Sequence, residues 1–176
     1  MISANQTLRD RLRFGTRAAQ DALDRAQRRF DLSSRDGRGR FLRAQADTIA
    51  TLRRADDGTL DAALAHALDL LAADLAVLGD DAPPVPRTPP ATDDALARGY
   101  VWHGQRLALR MLARSLPDGA DGTAYLLAPR DADAWRSLCA DLETTSGYGA
   151  LPDRVLTAAN DWLALLETLC HDHARR

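Results

Sequence analysis

Arg13, Arg17 and Gln20 lie three and four residues apart, a spacing that places two guanidinium groups and an amide near one face of a helix. A guanidinium fork matches a carboxylate through two parallel hydrogen bonds, so such a face suits an acidic ligand. The same spacing also describes solvated arginines on an outer helix face, and the residues alone leave these two readings level. Farther along, Cys170-His171-Asp172-His173 offers side chains of metal-chelating type. Its position close to the end of the sequence reads better as a frayed tail. His66, between Ala65 and Ala67, reads as a surface or boundary residue. Several other chemistries lack their residues. There is no Glu-x-x-His for a diiron centre, the glutamates being Glu143 and Glu167 alone, and no phosphate-binding loop, G-x-S-x-G or zinc motif.

The elements that position these residues are read from apolar periodicity. Leu8, Leu12, Gly15, Ala19, Leu23, Ala26 and Phe30 predict one amphipathic helix from Thr7 to Phe30 with an arginine-rich polar face. Ser33 followed by Asp36 resembles a capping box for a second helix, with Phe41, Ala44, Ala46, Ile49 and Leu52 inward and Gly37 and Gly39 weakening its first turns. Leu60, Leu64, Leu68, Leu71, Leu75 and Leu78 predict a third, largely buried helix ending at Gly79. Residues 80–91 hold five of the eight prolines and predict an extended connection. A fourth helix is expected from a Thr92 cap to about Ser115, a short one over Asp131 to Thr144, and a last one opened by Pro152. Val155, Leu156, Ala159, Trp162, Leu163, Leu166 and Leu169 would form its inner face.

Composition agrees with this all-α, single-domain reading of residues 1–176. Hydrophobic residues make up 45% of the 176 and aromatic residues 5%, with Ala and Leu dominant, which favours helix over sheet. All 23 basic residues are arginine. The net charge of -2 gives no reason to expect nucleic-acid binding, although residues 1–54 carry 13 arginines against 6 acids. That third is a candidate face for an acidic ligand or partner, or simply a set of solvated helix faces. Cys139 and Cys170 form no C-x-x-C pair and read as reduced thiols. The sequence is polar from Asn5 onward and holds no apolar run of the roughly 18 residues a membrane span needs. A cytoplasmic protein with no membrane partner is expected; no oligomeric state is indicated.

The segment Leu12-Arg13-Phe14-Gly15-Thr16-Arg17-Ala18-Ala19-Gln20-Asp21-Ala22-Leu23-Asp24 resembles the first helix of biliverdin-producing heme oxygenases, L-R-x-x-T-x-x-A-H-x-x-L-E/D. Ser33 to Leu42 resembles the family's start of helix two, and Asp74-Leu75-Ala76-Val77-Leu78-Gly79 its D-L-x-x-L-G. Gly99-Tyr100-Val101-Trp102-His103-Gly104-Gln105-Arg106-Leu107 resembles its distal helix, and Tyr125-Leu126 with Trp135 fits the later pattern. The resemblance implies a heme oxygenase-like helical bundle holding heme between the first and fourth helices. It further implies cleavage to biliverdin, carbon monoxide and iron with an electron-donor protein. It would set Arg13 and Arg17 against the propionates, with Thr16 on the same helix and the Tyr100 hydroxyl at the same edge.

Two positions depart from the family pattern, one on each side of the implied heme. Gln20 stands where the family has the histidine that ligates iron, and an amide oxygen is a weak donor to iron. On the distal side Gly104 keeps one glycine, but the pair that lets the backbone approach iron-bound oxygen reads Ala108 and Leu109. Leu109 is expected to project into the porphyrin space. His103 offers an alternative imidazole ligand, although a structural histidine is the better reading. Thiaminase-like relatives of the same fold use a nucleophilic cysteine; Cys139 reads instead as a small core residue. These departures argue against normal turnover. They imply a divergent heme- or bilin-binding protein, a non-catalytic helical regulatory or interaction module, or a protein whose arginines grip a linear tetrapyrrole.

Overall fold

The computed structural model describes residues 6–175; the polar start at Asn5 lies outside them. The order is α1 Leu8–Gly15, α2 Arg17–Gln27, α3 Arg35–Ala55, α4 Asp61–Val77, α5 Ala95–Leu112, α6 Ala124–Leu127, α7 Ala132–Thr144 and α8 Ala150–Ala174, with a 3₁₀ turn Ala113–Ser115 after α5. No strand occurs among the described residues, and the fold is all-α in a single domain. One isolated antiparallel bridge joins Thr7 to Ser146.

The helix expected over Thr7 to Phe30 divides at Thr16. The Thr16 hydroxyl donates to the Leu12 carbonyl at 2.7 Å, a back-bond that bends helices. The junction is also where α8 crosses. A Cβ on Gly15 would lie 2.7 Å from a Leu156 methyl, and Asn160 donates to the Gly15 carbonyl at 3.3 Å. Glycine at 15 therefore sets how closely α8 approaches.

Helix α8 is the central element, packing against α2, α3 and α5. Its buried Trp162, Leu163, Leu166 and Cys170 join Phe41, Ile49 and Leu52 from α3 in one continuous core. Capping differs from the sequence expectation at two starts. Ser34, not Ser33, caps α3 by accepting from Gly37 N–H at 3.0 Å, while the Ser33 hydroxyl turns to Asp31. Asp94 instead of Thr92 caps α5, accepting from Leu96 N–H at 2.9 Å. Helix α4 is less buried than its leucine repeat suggests. Leu64, Ala67, Leu71, Asp74 and Leu75 face inward, and Ala62, Ala63, Ala72, Ala73 and Ala76 line an exposed side.

Residues 80–91 are extended, as the prolines predict. They are tied down: Asp47 accepts from Val85 N–H at 2.7 Å, and Thr51 accepts from Arg87 N–H at 2.9 Å. The expected frayed tail is a helix to Ala174. His173 is 3% exposed, with Nε2 2.8 Å from the other Asp47 oxygen. A buried acid on α3, invisible in the local sequence, holds that turn in place.

Helix α6 was not expected from the sequence. The buried Asp74 carboxylate creates it by accepting from Ala124 N–H at 3.0 Å and Tyr125 N–H at 2.7 Å, two donors a helix start leaves open. Asp74→Ala should therefore lower the unfolding free energy by about 3 kcal/mol, since it strands both donors. The exposed Asp69→Ala on the same helix should cost under about 0.5 kcal/mol in the same urea denaturation.

Candidate functional site

Gln20 sits on the cleft between α2 and α5, across from Tyr100, Gly104 and Ala108. Its amide nitrogen donates to Thr16 Oγ1 at 2.8 Å and to the Tyr100 hydroxyl at 3.3 Å. The Thr16 hydrogen is already committed to Leu12, so its oxygen is free to accept. Two turns farther along α2, Gln27 donates to Gln105 Oε1 at 2.9 Å. Amide bridges thus join α2 to α5 near both ends of the cleft. The volume left between them is about 230 Å³.

Arg13 and Arg17 do lie near Gln20, but both are exposed and neither lines this cleft. Arg13 stacks over the Phe14 ring with its guanidinium carbon 5.8 Å from the centroid. The charged residues lining the cleft are Asp21 and Asp24. Two carboxylates repel propionates, and the space falls short of the roughly 300 Å³ at which ordinary small-molecule pockets begin. The residues lining this cleft do not fit heme: Gln20, where the resemblance would put an iron ligand, offers an amide whose nitrogen is bonded to Thr16 and Tyr100 and whose oxygen is a weak donor to iron.

The distal positions separate onto different faces of α5. Tyr100, Gly104 and Ala108, four residues apart, line the cleft. Leu109 instead packs in the core and does not project into that space. His103 turns to the opposite side, toward a groove of about 890 Å³ walled by α4, α5, α6 and α7. It is therefore not placed to ligate a metal held beside Gln20. No family model matches this chain, and no curated protein matches it.

The larger groove contains a residue whose importance the sequence reading missed. Arg106 is 8% exposed and shares the groove wall with Trp102 and His103. The available signal was its placement three and four residues beyond His103 and Trp102, which puts a full charge on a largely apolar face. Tyr125 from α6 completes the wall; burial pushes its phenol up to about 12, and the hydroxyl lies 3.3 Å from Gln45 Oε1.

Among the described residues no group of three His, Cys, Asp or Glu side chains is disposed to hold a metal, the 170–173 segment included. Both cysteines are free and buried, and burial pushes the Cys170 thiol up to about 12. They are inert core groups, as the sequence suggested for Cys139. Nor, among these residues, is any helix long and apolar enough to cross a membrane.

His103 is held below its ordinary 6.5, first by burial, with Arg130 acting in the same direction and Asp131 against it. The unfolded chain then binds more protons than the folded one, so stability is kept above the unfolded value and falls as the pH drops toward the folded one. An NMR titration of the His103 ring should give a midpoint below 6.5, the ordinary value. His103→Gln should flatten the acid-side loss of stability measured by urea denaturation over the same pH range.

Proposed function

We propose that this chain is a divergent heme oxygenase-like protein that has given up heme turnover and works as a non-catalytic helical binding module. The reading joins the ordered motif resemblance of the sequence to one structural observation: the Gln20 amide bonds both Thr16 and Tyr100 across the α2–α5 cleft. Both bonds are donated by the amide nitrogen, which makes the side chain a brace between α2 and α5, and the amide oxygen that remains is only a weak donor to iron. The acidic lining and the small volume support the same conclusion. A linear tetrapyrrole gripped by Arg13 and Arg17 gains no support, because neither arginine reaches the cleft. On this reading no electron-donor protein is needed. The buried free thiols suit the reducing conditions of a cytoplasm.

A hemin titration followed by absorbance tests the proposal. The wild-type protein should give no saturable Soret shift at stoichiometric hemin, and a chemical reductant should release no biliverdin. Gln20→His restores the imidazole but not the space, so it too should fail to support turnover. Saturable hemin binding by the wild-type chain, or biliverdin formation on reduction, would overturn the reading.

A further inference from the structure

Buried arginines in this fold normally have their charge or their hydrogen bonds answered. Arg98, 4% exposed, is surrounded by Asp56, Asp57 and Asp93. Arg38, 5% exposed, donates to the carbonyls of Leu32, Ser33 and Asp121. Arg106 differs from both. Among the described residues it has no carboxylate partner; Nη2 donates to the carbonyls of Tyr125 at 3.3 Å and Ala128 at 3.2 Å, and Nη1 is buried with no acceptor. The guanidinium lies 4.7 Å from the Tyr125 ring centroid and 5.8 Å from that of Trp102. Stacking on aromatic faces offsets part of the cost of burying a cation, but it supplies neither a counter-charge nor an acceptor for Nη1.

We propose that the groove walled by α4, α5, α6 and α7 binds a small organic monocarboxylate with an apolar body, its carboxylate received by Arg106. The charge argument fixes the head group: the guanidinium has no carboxylate within ion-pair reach, both Nη2 hydrogens are taken by the Tyr125 and Ala128 carbonyls, and Nη1 is left to give a single charge-assisted bond to a carboxylate oxygen. The walls fix the body. Leu60, Ala67, Leu70, Trp102 and Leu138 line a space of about 890 Å³, within the range of ordinary small-molecule sites. His103 adds a second polar contact, since its ring nitrogens have no partner among the described residues and it lines the same wall. The acids limit the ligand to one charge. Asp131 and Asp141 also line the groove, Asp131 occupied in capping α7 at Ala134 N–H, and their charge disfavours a phosphate or a dicarboxylate.

The mount for Arg106 is rigid. Asp74 fixes the start of α6, α6 presents the Tyr125 ring and carbonyl, and Gly122 permits the turn between them. Gly122 has φ +65°, and a Cβ there would stand 3.0 Å from the Asp74 carbonyl and 2.8 Å from Leu78. A preformed cationic site of this kind loses little freedom when its ligand arrives. The proposal gives the binding module its ligand, yet the groove lies on the other side of α5 from Gln20. A hemin response would defeat the reading of the cleft alone, and the outcomes below bear on the groove alone.

The test is NMR on the full chain, following the Arg106 Nε–H signal and the His103 ring. Octanoate and 2-naphthoate serve as alkyl and aryl probes, each set against its neutral amide. Each acid that binds should shift both signals saturably and at least about tenfold more tightly than its amide, the step expected of a charge-assisted bond. Which acid binds tighter identifies the body as alkyl or aryl. Arg106→Met should erase the difference between acid and amide, and Ala63→Trp, at an exposed point on the groove wall, should weaken both. Equal binding of acid and amide to the wild-type chain, or an Arg106 signal unmoved by either acid at about 1 mM, a concentration expected to fill a micromolar site, overturns the proposal. If Arg106→Met does not fold, the wild-type signal and Ala63→Trp decide.

Discussion

The first turn of α5 carries a cation where the helix dipole disfavours one, and the position of α5 depends on how that cation is answered. Arg98 binds Asp93 on the segment before its own helix and faces Asp56 and Asp57 in the α3–α4 connection. Asp93 uses its other oxygen to accept from the Trp162 indole at 2.9 Å, and Trp162 is the largest fully buried side chain. Asp93 thus couples the start of α5 to the middle of α8, and Arg98 extends the link to Asp56 at the end of α3. Buried ionic clusters of this type add little net stability over apolar packing, but breaking one leaves an uncompensated charge. Their effect here is to fix where α5 lies and which way it faces.

The orientation matters because α5 divides two different spaces, a narrow cleft whose charged residues are both acids and a wide groove that holds a buried cation. On the α2 side are Gln20, Asp21 and Asp24, with amide bridges across a narrow cleft. On the α4–α7 side is a wide, largely apolar groove containing Arg106 and a histidine whose pKa burial lowers. A rotation of α5 by one residue would exchange Leu109 for Ala108 at the cleft and remove Arg106 from the Tyr125 ring. The clustered acids around Arg98 oppose that rotation.

Much of the helical framework was legible in the sequence because apolar spacing and proline placement are local signals. Leu8, Leu12, Phe41, Ile49, Trp162 and Leu166 are buried where their periodicity put them. The prolines of residues 80–91 gave the extended connection. What could not be read locally depended on partners distant in the chain. Nothing near His173 indicates that Asp47 will bury it, and nothing near Thr123 indicates that Asp74 will nucleate α6. The same limit applied to the candidate site. The resemblance named Tyr100, His103, Gly104, Ala108 and Leu109 together, but it could not show that His103 and Leu109 would face away from Gln20 or that Gln20 would be tied to Thr16 and Tyr100. Arg106 escaped notice because its significance lies in the acid it lacks, and a missing partner has no sequence signature.

The three-way use of Asp47 has a bearing on how the chain assembles. Its carbonyl accepts from Thr51, one carboxylate oxygen takes Val85 N–H, and the other takes His173. Until those groups arrive, α3 carries an unanswered carboxylate on the face that must become core. The two ends of the His173 contact are 126 positions apart, so closing that loop carries a large entropic cost before its hydrogen bond forms. Helices α3 and α4, neighbours in sequence, can pair early, but their packed state is completed only when the last turn of α8 docks. A bundle of local helices thereby acquires a long-range latch that ties its last turn to the helix it must bury.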